Sequence, residues 1–144
     1  MSLRKVLPIS LSTILIVFLF GCKKDNNTTP AVITVKYEIT TTAPLLDTTA
    51  MGSIQYTDSI GTDSTTSDFY PGHTSWTKTF TLTTATRPLT LKLSTPISYF
   101  LASQGSITGK IYVNDVLQTT SFSSTTNSFN IFYASLSETT AVVN

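Results

Sequence analysis

Residue types that could carry catalysis are sparse and scattered along this chain. The only histidine, His73, stands in a polar, turn-like stretch, and no Gly-x-Ser-x-Gly elbow accompanies the serines. The only two glutamates, Glu38 and Glu138, have no spacing that pairs them as acid and base. Nucleophilic catalysis needs a nucleophile, a base and an orienting group together. We therefore expect no enzyme and no catalytic residue.

Acidic residues cluster around Gly61, where Asp58, Asp63 and Asp68 recur every five residues. A hard cation takes oxygen ligands from such a loop, but the alternating acidic spacing of a calcium-binding loop is missing. One cysteine and one histidine cannot build a Cys/His zinc site either. We expect no metal and no cofactor, and we interpret the aspartates as turn residues.

The single cysteine, Cys22, follows an apolar segment. Two basic residues precede an uncharged run at residues 6–20, which is shorter than the ~20 residues of a membrane span. This pattern predicts a signal peptide over residues 1–21. The stretch Leu19-Phe20-Gly21-Cys22 resembles the lipobox of bacterial lipoproteins, which implies cleavage before Cys22, a diacylglycerol on its thiol and an acyl chain such as palmitate on its amino group. The alternative is an ordinary signal peptide or an uncleaved anchor, with the cysteine incidental.

The remaining chain divides into a tether and one domain. Residues 22–30 are predicted to be the lipidated cysteine and a flexible tether, and residues 31–144 a β-sandwich domain. The Cys-Lys-Lys-Asp start resembles that of lipoproteins from Bacteroidetes-type bacteria, which implies an outer-membrane anchor in the periplasmic or the surface leaflet. The formal net charge is +1, so no nucleic-acid partner is expected.

Hydroxyl side chains follow aspartate at three predicted loop positions, Thr48, Ser59 and Ser64. These triplets resemble the O-glycosylation pattern of secreted Bacteroidetes proteins, which implies glycans at the three sites. Ordinary Asp-Ser/Thr turn chemistry explains the triplets equally well.

Aromatic side chains offer a second kind of site. Trp76 and Tyr99 are candidates for an exposed platform that would bind sugar or lipid. The alternative is that they fill the core, because a sandwich of this size needs aromatic residues inside.

Strands must position all of these residues. Residues 33–40 alternate apolar and polar side chains, and similar short runs recur at even spacing to residue 133, with no sustained helical periodicity. Seven or eight short strands in about 110 residues predict an all-β fold, an antiparallel β-sandwich that is immunoglobulin-like in outline. Lys78 shares the apolar face of its strand, so we expect it at a sheet edge or bulge. Asn114-Asp115 predicts a two-residue hairpin turn.

Four motifs carry a family resemblance, at residues 35–40 (VKYEIT), 54–58 (IQYTD), 75–80 (SWTKTF) and 109–115 (GKIYVND). Their order resembles small β-sandwich lipoproteins of Bacteroidetes-type bacteria and, more distantly, is similar to the periplasmic domain of mycobacterial MmpS proteins. The resemblance implies the sandwich fold and a large transporter as partner. The chain departs from the MmpS proteins in its expected lipid anchor, which stands in place of a transmembrane helix.

Together these patterns predict a non-enzymatic binding or scaffold module that is held on the cell envelope by Cys22 and is accessory to an envelope transporter or complex. The alternative is a surface carbohydrate-binding module, which requires Trp76 or Tyr99 to face solvent.

Overall fold

Alternating burial along the strands confirms that the domain is an all-β, antiparallel, sandwich-like fold. The computed structural model describes residues 32–46, 52–84, 86–128 and 131–144. Within these ranges there is no helix, and hence none long and apolar enough to cross a membrane. The strand at residues 34–41 shows the underlying pattern, because every second side chain is buried.

The described residues form eleven strands, more than the seven or eight predicted. The strands are β1 (Thr34–Thr41), β2 (Ser53–Thr57), β3 (Asp63–Thr66), β4 (Ser75–Thr81), β5 (Leu89–Ile97), β6 (Tyr99–Leu101), β7 (Ser106–Val113), β8 (Val116–Ser124), β9 (Thr126–Ser128), β10 (Ile131–Ala134) and β11 (Thr139–Val143). The excess arises because single residues split longer runs: Ser98 separates β5 from β6, and Thr125 separates β8 from β9. The strand β11 was not predicted, because its short Thr-Thr-Ala-Val-Val stretch has little alternation.

Three antiparallel sheets organise these strands. Sheet A has the order β4-β1-β7-β8, sheet B the order β6-β10-β9, and sheet C the order β11-β5-β2-β3. Side chains of sheets A and C interdigitate in the core: the Tyr37 and Tyr56 ring centroids lie 5.7 Å apart, and those of Tyr56 and Trp76 lie 5.9 Å apart. At Gly109 a Cβ would approach Leu136 Cδ1 to 2.7 Å, so the glycine permits the close contact there.

Two local expectations are confirmed. Lys78 lies opposite the buried Tyr37 on β4, which is an edge strand of sheet A, and its side chain is exposed. An inward-facing charge on an edge strand discourages pairing with another chain. Asn114 and Asp115 form the β7–β8 turn with φ of 49° and 63°, the positive pair that a type I′ hairpin turn requires.

The sandwich has two distinct ends. At the entry end, where the described chain begins at Val32, Thr34 N donates to Asn114 Oδ1 and Leu82 N donates to Ile33 O, both at 2.9 Å. At the far end, Thr41 N donates to Thr74 O at 2.8 Å. Strand β5 reaches the same far end, because its last residue, Ile97, pairs with the first residue of β2.

Tyr37 tests how the two main sheets are joined. Its ring is fully buried, and its hydroxyl donates to Thr57 O of sheet C at 2.9 Å. Tyr37→Phe should lower the free energy of unfolding by about 1–2 kcal/mol, because a buried carbonyl loses its donor. Tyr70→Phe is the matched control, since Tyr70 is 57% exposed, and it should change that free energy by less than ~0.5 kcal/mol. Equal urea midpoints for the two variants would show that the Tyr37 hydroxyl does not join the sheets.

Candidate functional site

Two of the predicted modification sites, Cys22 and Thr48, lie outside the described residues. The lipid anchor and the first glycan site therefore remain predictions. Ser59 and Ser64 are described, and both lie in or beside the β2–β3 turn.

The predicted aromatic platform of Trp76 and Tyr99 is wrong, because both side chains are in the core. Trp76 is 7% exposed and Tyr99 is 4% exposed. Trp76 pairs with Ile39 in register and contacts Tyr56 of the opposite sheet. Tyr99 packs against Phe69, with ring centroids 5.2 Å apart, and lies directly over Gly52, where a Cβ would come within 2.5 Å of the ring. Neither ring can stack on a sugar in solution.

The candidate acid–base residues lie apart. Glu38 accepts a hydrogen bond from Lys110 Nζ at 3.2 Å, and Lys36 Nζ lies 3.7 Å from its other oxygen. Glu138 lies 3.8 Å from Lys92 Nζ, beside sheet C. His73 is exposed at the far end. Glu38 is thus paired with lysines of sheet A and Glu138 with a lysine of sheet C, so the fold does not bring the two glutamates together.

Asp58 organises the turn that follows β2. Its Oδ1 accepts from the backbone N–H groups of Ile60 and Thr62, both at 3.0 Å, and its Oδ2 accepts from the Thr62 hydroxyl at 2.9 Å and the Ser64 hydroxyl at 3.3 Å. Desolvation works to raise the pKa of Asp58, but the hydrogen bonds from Thr62, Ile60 and Ser64 outweigh it and lower the pKa. This geometry makes Asp58 a turn residue, and it does not test glycosylation of Ser59 or Ser64.

No metal centre forms around these aspartates. Asp63 Oδ2 lies 3.9 Å from Lys92 Nζ, and Asp68 Oδ1 accepts from the Tyr70 hydroxyl at 3.5 Å. Among the residues that the structure describes, no group of three His, Cys, Asp or Glu side chains is placed to hold a metal ion.

A shallow apolar groove at the far end is a candidate site among the described residues. It is open to solvent, has a volume of about 490 Å³ and is lined by Pro96, Ile97, Ser98, Phe100 and Tyr133. The last residues of β5 form one wall, and the outer face of sheet B forms the other. We call it the far-end groove.

Strand register explains why aromatic rings reach the far-end groove. Phe100 and Tyr133 are cross-strand partners on β6 and β10, so their side chains share one face. Their neighbours Tyr99, Leu101 and Ala134 are buried on the opposite face. Because successive side chains of a strand point to opposite faces, Phe100 and Tyr133 face away from the core that their neighbours fill.

The far-end groove suits apolar contact and not proton transfer. Its lining holds two aromatic rings, a proline, an isoleucine that is 53% exposed and one serine, with no carboxylate, histidine or amine. Ile131, which is 46% exposed, lies on the same face of β10 as Tyr133 and extends the apolar surface.

Sequence reasoning missed this groove because β10 carries apolar residues on both faces. Ile131 and Tyr133 form one apolar set along the strand, but the structure buries Ala134 and half-buries Phe132 on the other face. Alternation identifies the two sets without showing which set is inside. The sequence signal for the groove was the polar Ser98 between Ile97 and Phe100, since a break between two strands exposes the apolar residues beside it.

Comparison with known proteins adds no family. No protein-family model matches the chain, and no curated protein matches it with significant similarity. The likeness to small envelope lipoproteins and to MmpS domains therefore stays a prediction from the sequence.

The Asp58 turn yields a prediction for stability and pH. Asp58→Ala should cost about 1 kcal/mol of unfolding free energy, because the turn loses four hydrogen bonds at a partly exposed site. Asp58→Asn is the matched control, since its amide oxygen still accepts from both backbone N–H groups, and it should cost less.

The lowered pKa gives the sign of the pH dependence. The stability that the Asp58 carboxylate contributes is present above its unfolded pKa of about 3.9 and is lost as the pH falls through the lower folded value. Urea unfolding between pH 3 and 6 should therefore show a smaller loss at low pH in Asp58→Asn than in the wild type. An identical pH profile would show that the turn does not hold the carboxylate in its charged form.

Proposed function

We propose that this protein is a lipid-anchored lipoprotein of the cell envelope whose β-sandwich is a non-enzymatic binding or scaffold module, accessory to an envelope transporter or complex. The observation that carries the proposal is the position of the far-end groove. The described chain begins at the entry end, while the apolar groove lies at the opposite end of the strands. An anchor at one end leaves the groove free for a partner at the other.

The anchor rests on the sequence around Cys22. A signal peptide that ends in Leu-Phe-Gly before a unique cysteine supports lipidation of that thiol. One acyl chain binds a membrane only marginally, whereas two or more give stable attachment. Because the Cys-Lys-Lys-Asp start resembles that of lipoproteins from Bacteroidetes-type bacteria, we propose an outer-membrane anchor in the periplasmic or the surface leaflet.

A protein segment suits the far-end groove better than a sugar does. Sugars are bound through many hydrogen bonds to fixed polar groups, with aromatic rings adding stacking. The lining offers only the hydroxyls of Ser98 and Tyr133 against an otherwise apolar surface. Ile97 and Ile131 are aliphatic side chains that a sugar ring uses poorly and an apolar side chain of another protein uses well. The carbohydrate-binding alternative also loses its predicted Trp76 and Tyr99 platform.

Removing Cys22 tests the anchor. Cells that express the Cys22→Ala variant should incorporate no labelled fatty acid into this protein, and the protein should leave the outer-membrane fraction, because the only thiol for the lipid is gone. Lys24→Ala changes a neighbouring residue and keeps the thiol, so it should behave as the wild type. Outer-membrane retention of Cys22→Ala would contradict lipid anchoring.

Photocross-linking tests the far-end groove. A photoreactive residue at Ile97 should cross-link one envelope protein, because that side chain is 53% exposed in the groove. The matched control is Val142 on sheet C, which is 55% exposed and outside the groove. The partner, identified by mass spectrometry and purified, should bind Tyr133→Ser at least ~10-fold more weakly than the wild type, a loss of ~1.4 kcal/mol.

Circular dichroism should show that Tyr133→Ser keeps the strand content of the wild type. Equal cross-linking from Ile97 and Val142 would contradict a protein partner in the groove. Glycan-array binding that Tyr133→Ser abolishes would favour the carbohydrate-binding alternative.

A further inference from the structure

We infer that the entry end of the sandwich rests on the lipid bilayer through the exposed apolar side chains of Val32, Ile60 and Val116. This inference deepens the proposed function, because it rests on a lipid anchor at Cys22. It assigns a second, non-covalent membrane contact to the folded domain.

Three separate segments bring these side chains to one end. Val32 begins the described chain, Ile60 lies in the Asp58 turn, and Val116 follows the β7–β8 turn. Backbone hydrogen bonds tie the segments together. Thr83 N, just after β4, donates to Ser59 O at 2.8 Å, and Asn114 N donates to Thr34 O at 2.8 Å.

The exposure of these side chains is large for residues of their type. Val32 is 69% exposed, and Ile60 and Val116 are each 61% exposed. Val32 lies at the chain entry, Ile60 lies in a turn, and Val116 is the exposed first residue of β8, so a polar residue at any of the three would cost little in packing. Apolar side chains at such positions gain free energy when they enter the headgroup and acyl boundary of a bilayer.

The position of the anchor indicates which end meets the membrane. Cys22 precedes Val32 by ten residues, which span at most about 36 Å when extended. Strand β1 alone is about 26 Å long for its eight residues. Cys22 can therefore reach the far end only when the tether is almost fully extended, and otherwise it lies nearer to the entry end. A tether this short also raises the effective concentration of the bilayer at the domain, so three side chains suffice for contact.

The charges at the entry end favour an apolar contact over an electrostatic one. Asp58 and Asp115 both lie there, and the Arg87 guanidinium donates to the Thr84 and Thr86 carbonyl oxygens at 3.0 and 2.8 Å. Arg87 keeps its positive charge, but the carboxylates of Asp58 and Asp115 at the same end offset it, so we expect no strong attraction of anionic headgroups. We expect the contact to form on neutral phosphatidylcholine and to be insensitive to salt.

Contact of Ile60 with the bilayer limits glycosylation of the neighbouring Ser59. Ser59 precedes Ile60 directly, so a glycan on Ser59 would hold Ile60 away from the acyl chains. The membrane contact therefore requires Ser59 of the native protein to carry no hexose. Because the far-end groove lies at the other end of the strands, bilayer contact at the entry end also points the groove away from the membrane.

Tryptophan quenching by brominated lipid tests the contact. The protein is purified from envelopes and reconstituted into phosphatidylcholine vesicles with brominated acyl chains. Ile60→Trp and Val116→Trp each add an exposed indole to the single native Trp76, which is buried. Their added emission should fall by at least ~2-fold relative to unbrominated vesicles. Ile97→Trp in the far-end groove is the matched control and should lose almost none.

Greater quenching of Ile97→Trp than of Ile60→Trp and Val116→Trp, or equal emission of all three with and without bromine, would overturn the inference. Hydrogen exchange of the wild type gives a second readout that needs no substitution. Amides of residues 58–62 should exchange more slowly on vesicles than in detergent, and those of residues 97–101 should not change. An unchanged 58–62 segment would likewise overturn the inference.

The mass of the purified protein distinguishes a failure of the lipid anchor from a failure of the membrane contact. If Cys22 of the purified protein carries no lipid, the proposed function fails, and the free thiol, which is the only one in the chain, is coupled to a maleimide lipid in the same vesicles. The quenching experiment then still decides whether the entry end meets the bilayer.

Discussion

The buried hydrogen bond from Tyr37 to Thr57 is the constraint on which the arrangement of the sandwich depends. The Tyr37 ring is fully buried on sheet A, and its hydroxyl reaches a backbone carbonyl of sheet C. Burial raises the pKa of Tyr37, so the hydroxyl stays a donor through the whole physiological range. Thr57 continues the link, because its own hydroxyl accepts from Lys92 N at 3.0 Å and donates to Thr90 O at 3.4 Å. Sheet A is thereby bonded to the strand β5, whose end builds the groove.

The Tyr37–Thr57 hydrogen bond bears on how the two ends of the sandwich come to differ. The sheets are joined in their interior, so the loops at the ends are free to carry apolar residues that the core does not need. At the entry end these residues are single exposed side chains in or beside hydrogen-bonded turns. At the far end they form a continuous groove whose aromatic rings are held by the pairing of Phe100 with Tyr133. In the proposed function, one end meets a bilayer and the other a protein partner, and the sandwich keeps the two apart.

The fold was predictable from the sequence wherever one face is apolar and the other polar. Strand β1 has that pattern, and Lys78 at the edge and the Asn114-Asp115 turn follow from local chemistry alone. The site was less predictable, because Trp76 and Tyr99 have the residue types of a binding platform and also those of a core. Burial of an aromatic ring depends on what the opposite sheet supplies, here Tyr56 for Trp76, and no local pattern contains that information. The direction of Tyr133 was unpredictable for a different reason: both faces of β10 are apolar, so alternation does not show which face is buried.

The proposed lipid anchor depends on the chemical state of Cys22, and the mass of the mature amino-terminal peptide measures that state directly. The account predicts that protein purified from native envelopes lacks residues 1–21 and begins at Cys22 with the added mass of a diacylglycerol and an amide-linked acyl chain. A peptide that contains an unmodified Cys22, or one that still carries residues before it, would contradict the anchor and with it the orientation of the groove.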